Sequence, residues 1–76
     1  MFRYLKRERL ERRAADYLRI HPEDEPAVKA TYFALMTLAP KSAWEVASLT
    51  AGRELSSAEW EAYAPRWERV WTFMVN

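Results

Sequence analysis

The sequence predicts an all-α fold, a small bundle of about four helices in one domain over residues 1–76. Apolar residues recur at steps of three and four along most of the chain, which is the spacing of one helix face. Four prolines and one glycine divide these segments and mark where helices begin or end. The one strand candidate, residues 31–38, has no second strand to pair with. With 76 residues, the chain suffices for one small domain and is too short for two.

The first helix is predicted from about Arg3 to Ile20, a segment rich in the good helix formers Leu, Arg, Glu and Ala. Pro22 ends it, because a proline disfavours helical geometry at the preceding residue. One face of this helix is apolar and should be buried. It consists of Leu10, Ala14, Tyr17 and Leu18.

The second helix is predicted to begin around residues 23–26, where three carboxylates precede Pro26. Carboxylates favour the positive end of the helix dipole, and proline fits the first helical turn. The helix should run to about Ala39, since Pro40 follows. Its apolar residues lie on more than one face, and no charge interrupts them between Lys29 and Lys41. We therefore expect this helix either at the centre of the bundle or facing a second chain.

Serine and glutamate three residues apart, the pattern of a capping box, mark the starts of the last two helices. Ser42 and Glu45 predict a short helix from Ala43 to about Thr50, with Gly52 as its left-handed stop. Ser56 and Glu59 predict the start of the fourth helix. The flanking Leu55 and Trp60 stand at the two positions of a hydrophobic staple.

The fourth helix carries one apolar seam, which we expect to face inward. The seam comprises Trp60, Tyr63, Ala64, Trp67, Val70, Trp71 and Met74. Pro65 interrupts it, and a proline inside a helix costs roughly 3 kcal/mol. The helix is therefore expected to be kinked there, or broken with a fresh start near Arg66.

The composition argues against catalysis. One glycine cannot supply a phosphate-binding loop, and without cysteine there is no thiolate zinc site, disulfide or thiol nucleophile. The single histidine, His21, cannot form a cluster of imidazole ligands, and no second histidine or cysteine is available for a nucleophilic triad. We therefore expect no enzyme, no cofactor, no metal and no small-molecule substrate. The carboxylates of residues 23–25 are explained by the helix dipole.

Two further features bear on where the chain works. The lack of cysteine is compatible with a reducing compartment, and we expect a cytoplasmic protein. The longest uncharged stretch, residues 30–40, is about half of the roughly 20 residues needed to cross a bilayer. A membrane is therefore not expected among its partners.

Charge is concentrated at the amino-terminal end. The formal net charge is only +1, yet residues 1–20 hold seven basic and three acidic side chains. This basic face is a candidate partner-binding surface, with contact to nucleic-acid phosphates, contact to an acidic protein surface and simple solvation as the alternatives. Its candidate residues are Arg3, Lys6, Arg7, Arg9, Arg12 and Arg13.

The aromatic content is high for so short a chain, with four tryptophans, four tyrosines and three phenylalanines. A domain of this size buries only about 60% of its unfolded surface, so some of these rings are expected to meet another molecule. The candidate interface residues are Trp67, Trp71 and Met74, since tryptophan and methionine are enriched at interfaces. The alternative is that the tryptophans belong to the core.

These features lead to one expected function and two alternatives. We expect a small stand-alone protein-binding module that regulates or inhibits a larger complex by docking, in the manner of small phage or plasmid effectors, with self-association as a homodimer included. A nucleic-acid-binding regulator that uses the basic helix is the first alternative. A structural subunit of an assembly is the second.

Overall fold

A computed structural model describes residues 7–76 and shows four α-helices and one turn of 3-10 helix. No strand occurs within residues 7–76. The all-α bundle expected from the sequence is therefore confirmed. The elements are α1 (Arg7–Ile20), the 3-10 turn (Pro22–Asp24), α2 (Glu25–Thr37), α3 (Ala43–Ala51) and α4 (Ser57–Val75).

Helix α1 ends at Ile20 as predicted, directly before the 3-10 turn at Pro22. The expected start at Arg3 lies outside the described residues. Its apolar face packs inward, with Leu10 and Tyr17 fully buried and Ala14 and Leu18 half-buried against the core.

Helix α2 is central, because it packs against α1, α3 and α4. It buries Val28, Thr31 and Ala34, but Phe33 and Met36 are exposed. The expected enclosure of this helix is therefore confirmed for one side only, since the other side presents apolar side chains to solvent. Contact of that side with a second chain stays a prediction.

Helix α2 ends at Thr37, two residues earlier than predicted. Ala39 adopts a left-handed φ of 49°, and its N–H donates to the carbonyl of Ala34 over 3.1 Å. Because Ala39 precedes Pro40, it cannot readily continue the right-handed helix. The chain therefore turns at Ala39 in a left-handed conformation that glycine adopts more readily, because alanine carries a Cβ.

The caps of α3 and α4 differ. Ser42 Oγ accepts from the backbone N–H of Glu45 over 3.2 Å, but the Glu45 carboxylate accepts from the N–H of Lys41. In a full capping box the Glu45 carboxylate would also accept from the N–H of Ser42. That part of the prediction is wrong, because Lys41 is the donor instead. At α4 the capping box is complete, and Arg53 also pairs with Glu59. The Arg53 guanidinium and the Ser56 N–H lower the pKa of Glu59 to about 2. At the end of α3, Gly52 has the expected left-handed φ of 78°.

Helix α4 continues through Pro65 without a break, so the fresh start near Arg66 does not occur. Pro65 and Glu61 are both exposed, and water can therefore satisfy the carbonyl that the proline leaves without an N–H partner. Farther along, Val70 and Met74 are buried as predicted. The seam is not buried throughout, because Tyr63 is 49% exposed.

The main core lies between α1, α2 and α4. It is built from Leu10, Tyr17, Ala27, Val28, Val70 and Met74. A second group of buried residues, between α2, α3 and the start of α4, includes Ala34, Ala43, Val46 and Leu55. Among the described helices, none is long and apolar enough to cross a membrane.

We expect Ala39→Gly to raise the free energy of unfolding by up to about 1 kcal/mol. A left-handed conformation costs an L-residue roughly 1–2 kcal/mol, and the greater freedom of glycine in the unfolded chain offsets about 0.4–1 kcal/mol of the gain. Ala15→Gly, at an exposed position in α1, is the matched control and should lower stability by about 0.5–1 kcal/mol. Urea denaturation measures both, and effects of the same sign would contradict the prediction.

Candidate functional site

A buried carboxylate joins three elements of the fold. Asp24 is the last residue of the 3-10 turn and is 0% exposed. The Tyr17 hydroxyl of α1 donates to Asp24 Oδ2 over 2.6 Å. Arg69 of α4 donates from Nη2 to the same oxygen over 3.1 Å and from Nε to the Tyr17 hydroxyl over 2.9 Å.

A second arginine of α4 faces the other oxygen of the carboxylate. Arg66 Nε lies 2.9 Å from Asp24 Oδ1, but this ion pair lacks hydrogen-bond geometry, so Oδ1 accepts no hydrogen bond from the described residues. Burial raises the pKa of Asp24. The hydrogen bonds from Tyr17 and Arg69 and the charges of both arginines outweigh burial, and the net pKa lies below the ordinary value. Asp24 is therefore ionised at neutral pH.

The two arginines reach Asp24 from the edge of a cleft between α3 and α4, which we call the α3–α4 cleft. Both remain about half exposed. Apart from these two guanidinium groups, the lining has no charged side chain. The lining residues are Ala47, Thr50, Ala51, Leu55, Ala62, Tyr63, Pro65, Arg66, Trp67 and Arg69.

A smaller groove between α2 and α3, which shares Thr50 with the α3–α4 cleft, has no charged lining residue, and we call it the α2–α3 groove. Phe33 is 60% exposed there, Leu38 51% and Leu49 49%. These three large apolar side chains are contributed by two helices and the residue after α2. The full lining is Ala30, Phe33, Ala34, Leu38, Val46, Leu49 and Thr50.

Most of the described arginines of the basic face are engaged within the chain. Arg7 pairs with Glu11 over 3.1 Å. Arg9 donates to the main-chain oxygen of Asn76 over 3.1 Å. Arg13 donates to the carbonyl of Phe73 and to the main-chain oxygen of Asn76 and lies over the Phe73 ring.

These contacts give Arg9 and Arg13 a structural role, because cations stabilise the negative end of a helix such as α4. Arg12 is exposed and lines a groove on α1 together with Arg9 and Arg13. Arg3 and Lys6 lie outside the described residues.

The three candidate interface residues of α4 have different environments. Trp67 is half-buried, packs against the main core and also lines the α3–α4 cleft. Trp71 is half-buried. Met74 is only 1% exposed and belongs to the core, so it offers no surface to a partner. Burial of Met74 follows from its place on the innermost line of the seam, beside Val70.

His21 does not cap the 3-10 turn through its side chain. Its ring contacts Tyr17 at 4.9 Å between centroids, and Nδ1 lies 3.4 Å from Glu23 Oε2. Potential ligand atoms of His21, Glu23 and Asp24 fall within 4.8 Å of one another. Because two guanidinium groups already face the single Asp24 carboxylate and exceed its charge by one, a metal cation there would meet repulsion. This cluster does not make a favourable metal site.

Sequence reasoning did not identify the Asp24 network. The three adjacent carboxylates at residues 23–25 were explained by the helix dipole, and nothing local distinguishes the middle one. One usable signal was present, since Arg66 and Arg69 are three residues apart and therefore share one side of α4. Two cations next to a buried apolar face would have predicted a nearby anion, because charges close to the core are usually paired.

Comparison with protein-family models, with curated proteins and with solved structures gives no match to this chain.

Asp24→Asn should lower the free energy of unfolding by about 3 kcal/mol, because it removes the anion that two guanidinium groups and a phenol share. The half-exposure of both arginines places the cost at the lower end of the range for buried pairs. Glu23→Gln, the exposed neighbour in the same turn, is the control and should change stability by less than about 0.5 kcal/mol. Urea denaturation at pH 7 distinguishes them, and similar losses in both variants would contradict a special role for Asp24.

The low pKa of Asp24 also predicts a dependence on pH. A carboxyl group whose pKa in the folded state lies below its ordinary 3.8 stabilises the fold above that pH, and loses this contribution as the pH falls. The stability difference between the native protein and Asp24→Asn should therefore shrink below about pH 4. A difference that stays constant from pH 7 to pH 2 would refute this assignment.

Proposed function

We propose that this chain is a protein-binding module that docks on a larger protein through the α2–α3 groove and so regulates or inhibits it. The observation that carries the proposal is the grouping of Phe33, Leu38 and Leu49, each about half exposed or more, on a surface without charge. Single exposed apolar residues are ordinary, whereas grouped ones mark interaction sites.

The energetics favour docking at this groove. Burying a large apolar side chain fully contributes about 1.5–3 kcal/mol relative to leaving it exposed. Phe33 and Leu49 belong to different helices that already pack on each other, so their positions are set before a partner arrives. A preorganised surface loses less conformational entropy on binding.

Action by binding also agrees with the chemistry of the described residues. The Asp24 carboxylate already forms ion pairs with Arg66 and Arg69, and Ser42 and Ser56 serve as helix caps. The lack of cysteine is compatible with a reducing compartment such as the cytoplasm, where we place this activity.

The charge distribution supports a protein partner over nucleic acid. Binding to a phosphate backbone requires several available cations, yet Arg7, Arg9 and Arg13 already make contacts within the chain. A second copy of this chain remains the main competing occupant of the groove, and solution mass separates the two.

The test replaces two groove residues together, Phe33→Glu and Leu49→Glu, since charge at both positions opposes apolar docking. Ile20→Glu is the matched control, because Ile20, at 68%, is the most exposed large apolar residue within residues 7–76 and lies at the end of α1 outside the groove. The immobilised native chain should retain one protein from an extract of the source cells in near-stoichiometric amount, measured by quantitative mass spectrometry. The double variant should lose it about tenfold or more, equivalent to about 1.4 kcal/mol, and the control should not.

Retention of that protein by the double variant, or no stoichiometric partner at all, would refute the proposal. A solution mass of twice 9.0 kDa that falls to the monomer value in the double variant would assign the groove to a homodimer instead. Thermal denaturation of the native chain and both variants checks that each is folded.

A further inference from the structure

The α3–α4 cleft is a second surface, which meets the groove proposed above only at Thr50, and it has the dimensions of a binding site. Its volume is about 590 Å³, within the range of roughly 300–1,000 Å³ that is usual for ligand sites. The apolar part is made by small side chains such as Ala47, Ala51 and Ala62, with Tyr63 and Trp67 as its aromatic residues. There is room here for an apolar side chain from outside the molecule.

The charged part of the cleft is positive. Arg66 and Arg69 line it, and no carboxylate does. The single charge of Asp24 offsets one of the two guanidinium groups, which leaves a surplus of one positive charge at the edge of an apolar cavity. An occupant with a negative charge next to an apolar group would complement both parts.

Donors remain available on both arginines. Arg66 uses Nε toward Asp24, and Arg69 uses Nε and Nη2 toward Tyr17 and Asp24. The other guanidinium nitrogens, both Nη atoms of Arg66 and Nη1 of Arg69, make no hydrogen bond to residues 7–76. Because guanidinium groups bind carboxylates through paired N–H donors, these nitrogens suit a carboxylate ligand.

Asp24 acts as a positioning residue for this site. It is fully buried and holds both long side chains from one side. A restrained arginine loses less rotational freedom when it binds a second anion. The buried ion pair therefore orders the cations at the cleft before any ligand arrives.

We propose that the α3–α4 cleft binds an acidic segment of a protein chain, with an apolar side chain against the alanines and Trp67 and a neighbouring carboxylate on Arg66 and Arg69. A free inorganic anion would leave the apolar part of the cleft in water. A nucleic-acid backbone would need a longer row of cations than two. A peptide that combines an aromatic or aliphatic residue with Asp or Glu uses the whole cleft.

The test selects a phage-displayed library of random dodecapeptides against the folded native chain. Enriched peptides should pair an aromatic or aliphatic residue with an acidic one within a few positions. A synthetic peptide of the selected sequence should bind at least about tenfold more weakly when its acidic residues become Asn or Gln. Its affinity should also fall as salt is raised from 0.05 to 0.5 M, on the order of severalfold.

Variants of the protein locate the site. Ala62→Glu places charge and bulk at an exposed position of the cleft, and Arg66→Gln removes one cation while keeping a polar side chain. Each should weaken binding about tenfold or more. Ala15→Glu, at an exposed alanine of α1 outside the cleft, is the matched control and should leave the affinity unchanged.

Three results would overturn the proposal: no enriched peptide, enriched peptides without acidic residues, or equal binding by Ala62→Glu and the native chain. The double variant of Phe33 and Leu49 should bind the selected peptide normally. A failure at the α3–α4 cleft is thereby distinguished from a failure at the α2–α3 groove.

Discussion

The ion pair of Asp24 with Arg66 and Arg69 connects parts of the chain that are distant in sequence. Through Asp24 and Tyr17 it joins α4 to the 3-10 turn and to α1. A carboxylate removed from water is costly unless charged donors replace the lost hydration. The position of α4 therefore satisfies two requirements at once, burial of Val70 and Met74 and placement of two guanidinium groups against one anion.

This arrangement links stability to the proposed second binding surface. The side chains that neutralise Asp24 are also the ones that line the α3–α4 cleft. Folding thus pairs the buried charge of Asp24 with Arg66 and Arg69, and the same ion pairs orient these two cations at the surface. On the basic face of α1, Arg13 likewise stabilises α4 by donating to the carbonyl of Phe73 in its last turn, and Arg9 donates to the main-chain oxygen of Asn76 directly after the helix.

The aromatic residues divide between core and surface. Tyr17 is buried, Trp67 and Trp71 are half-buried, and Phe33 is largely exposed. Some aromatic surface therefore remains in contact with solvent, and it comes both from Phe33 of α2 and from Tyr63 of the α4 seam. Helix α2 can be central and still expose Phe33 because three neighbours cover only part of its circumference.

Local signals were sufficient to predict the four helices, the complete cap at Ser56 and the left-handed stop at Gly52, because capping and turn chemistry depend on residues a few positions apart. Periodicity likewise predicted the buried faces of α1 and α4. The burial of Asp24, the intramolecular contacts of Arg9 and Arg13, and the exposure of Phe33 and Tyr63 could not be predicted in this way. Each depends on which helix lies opposite, and that is determined by packing between residues as many as 67 positions apart.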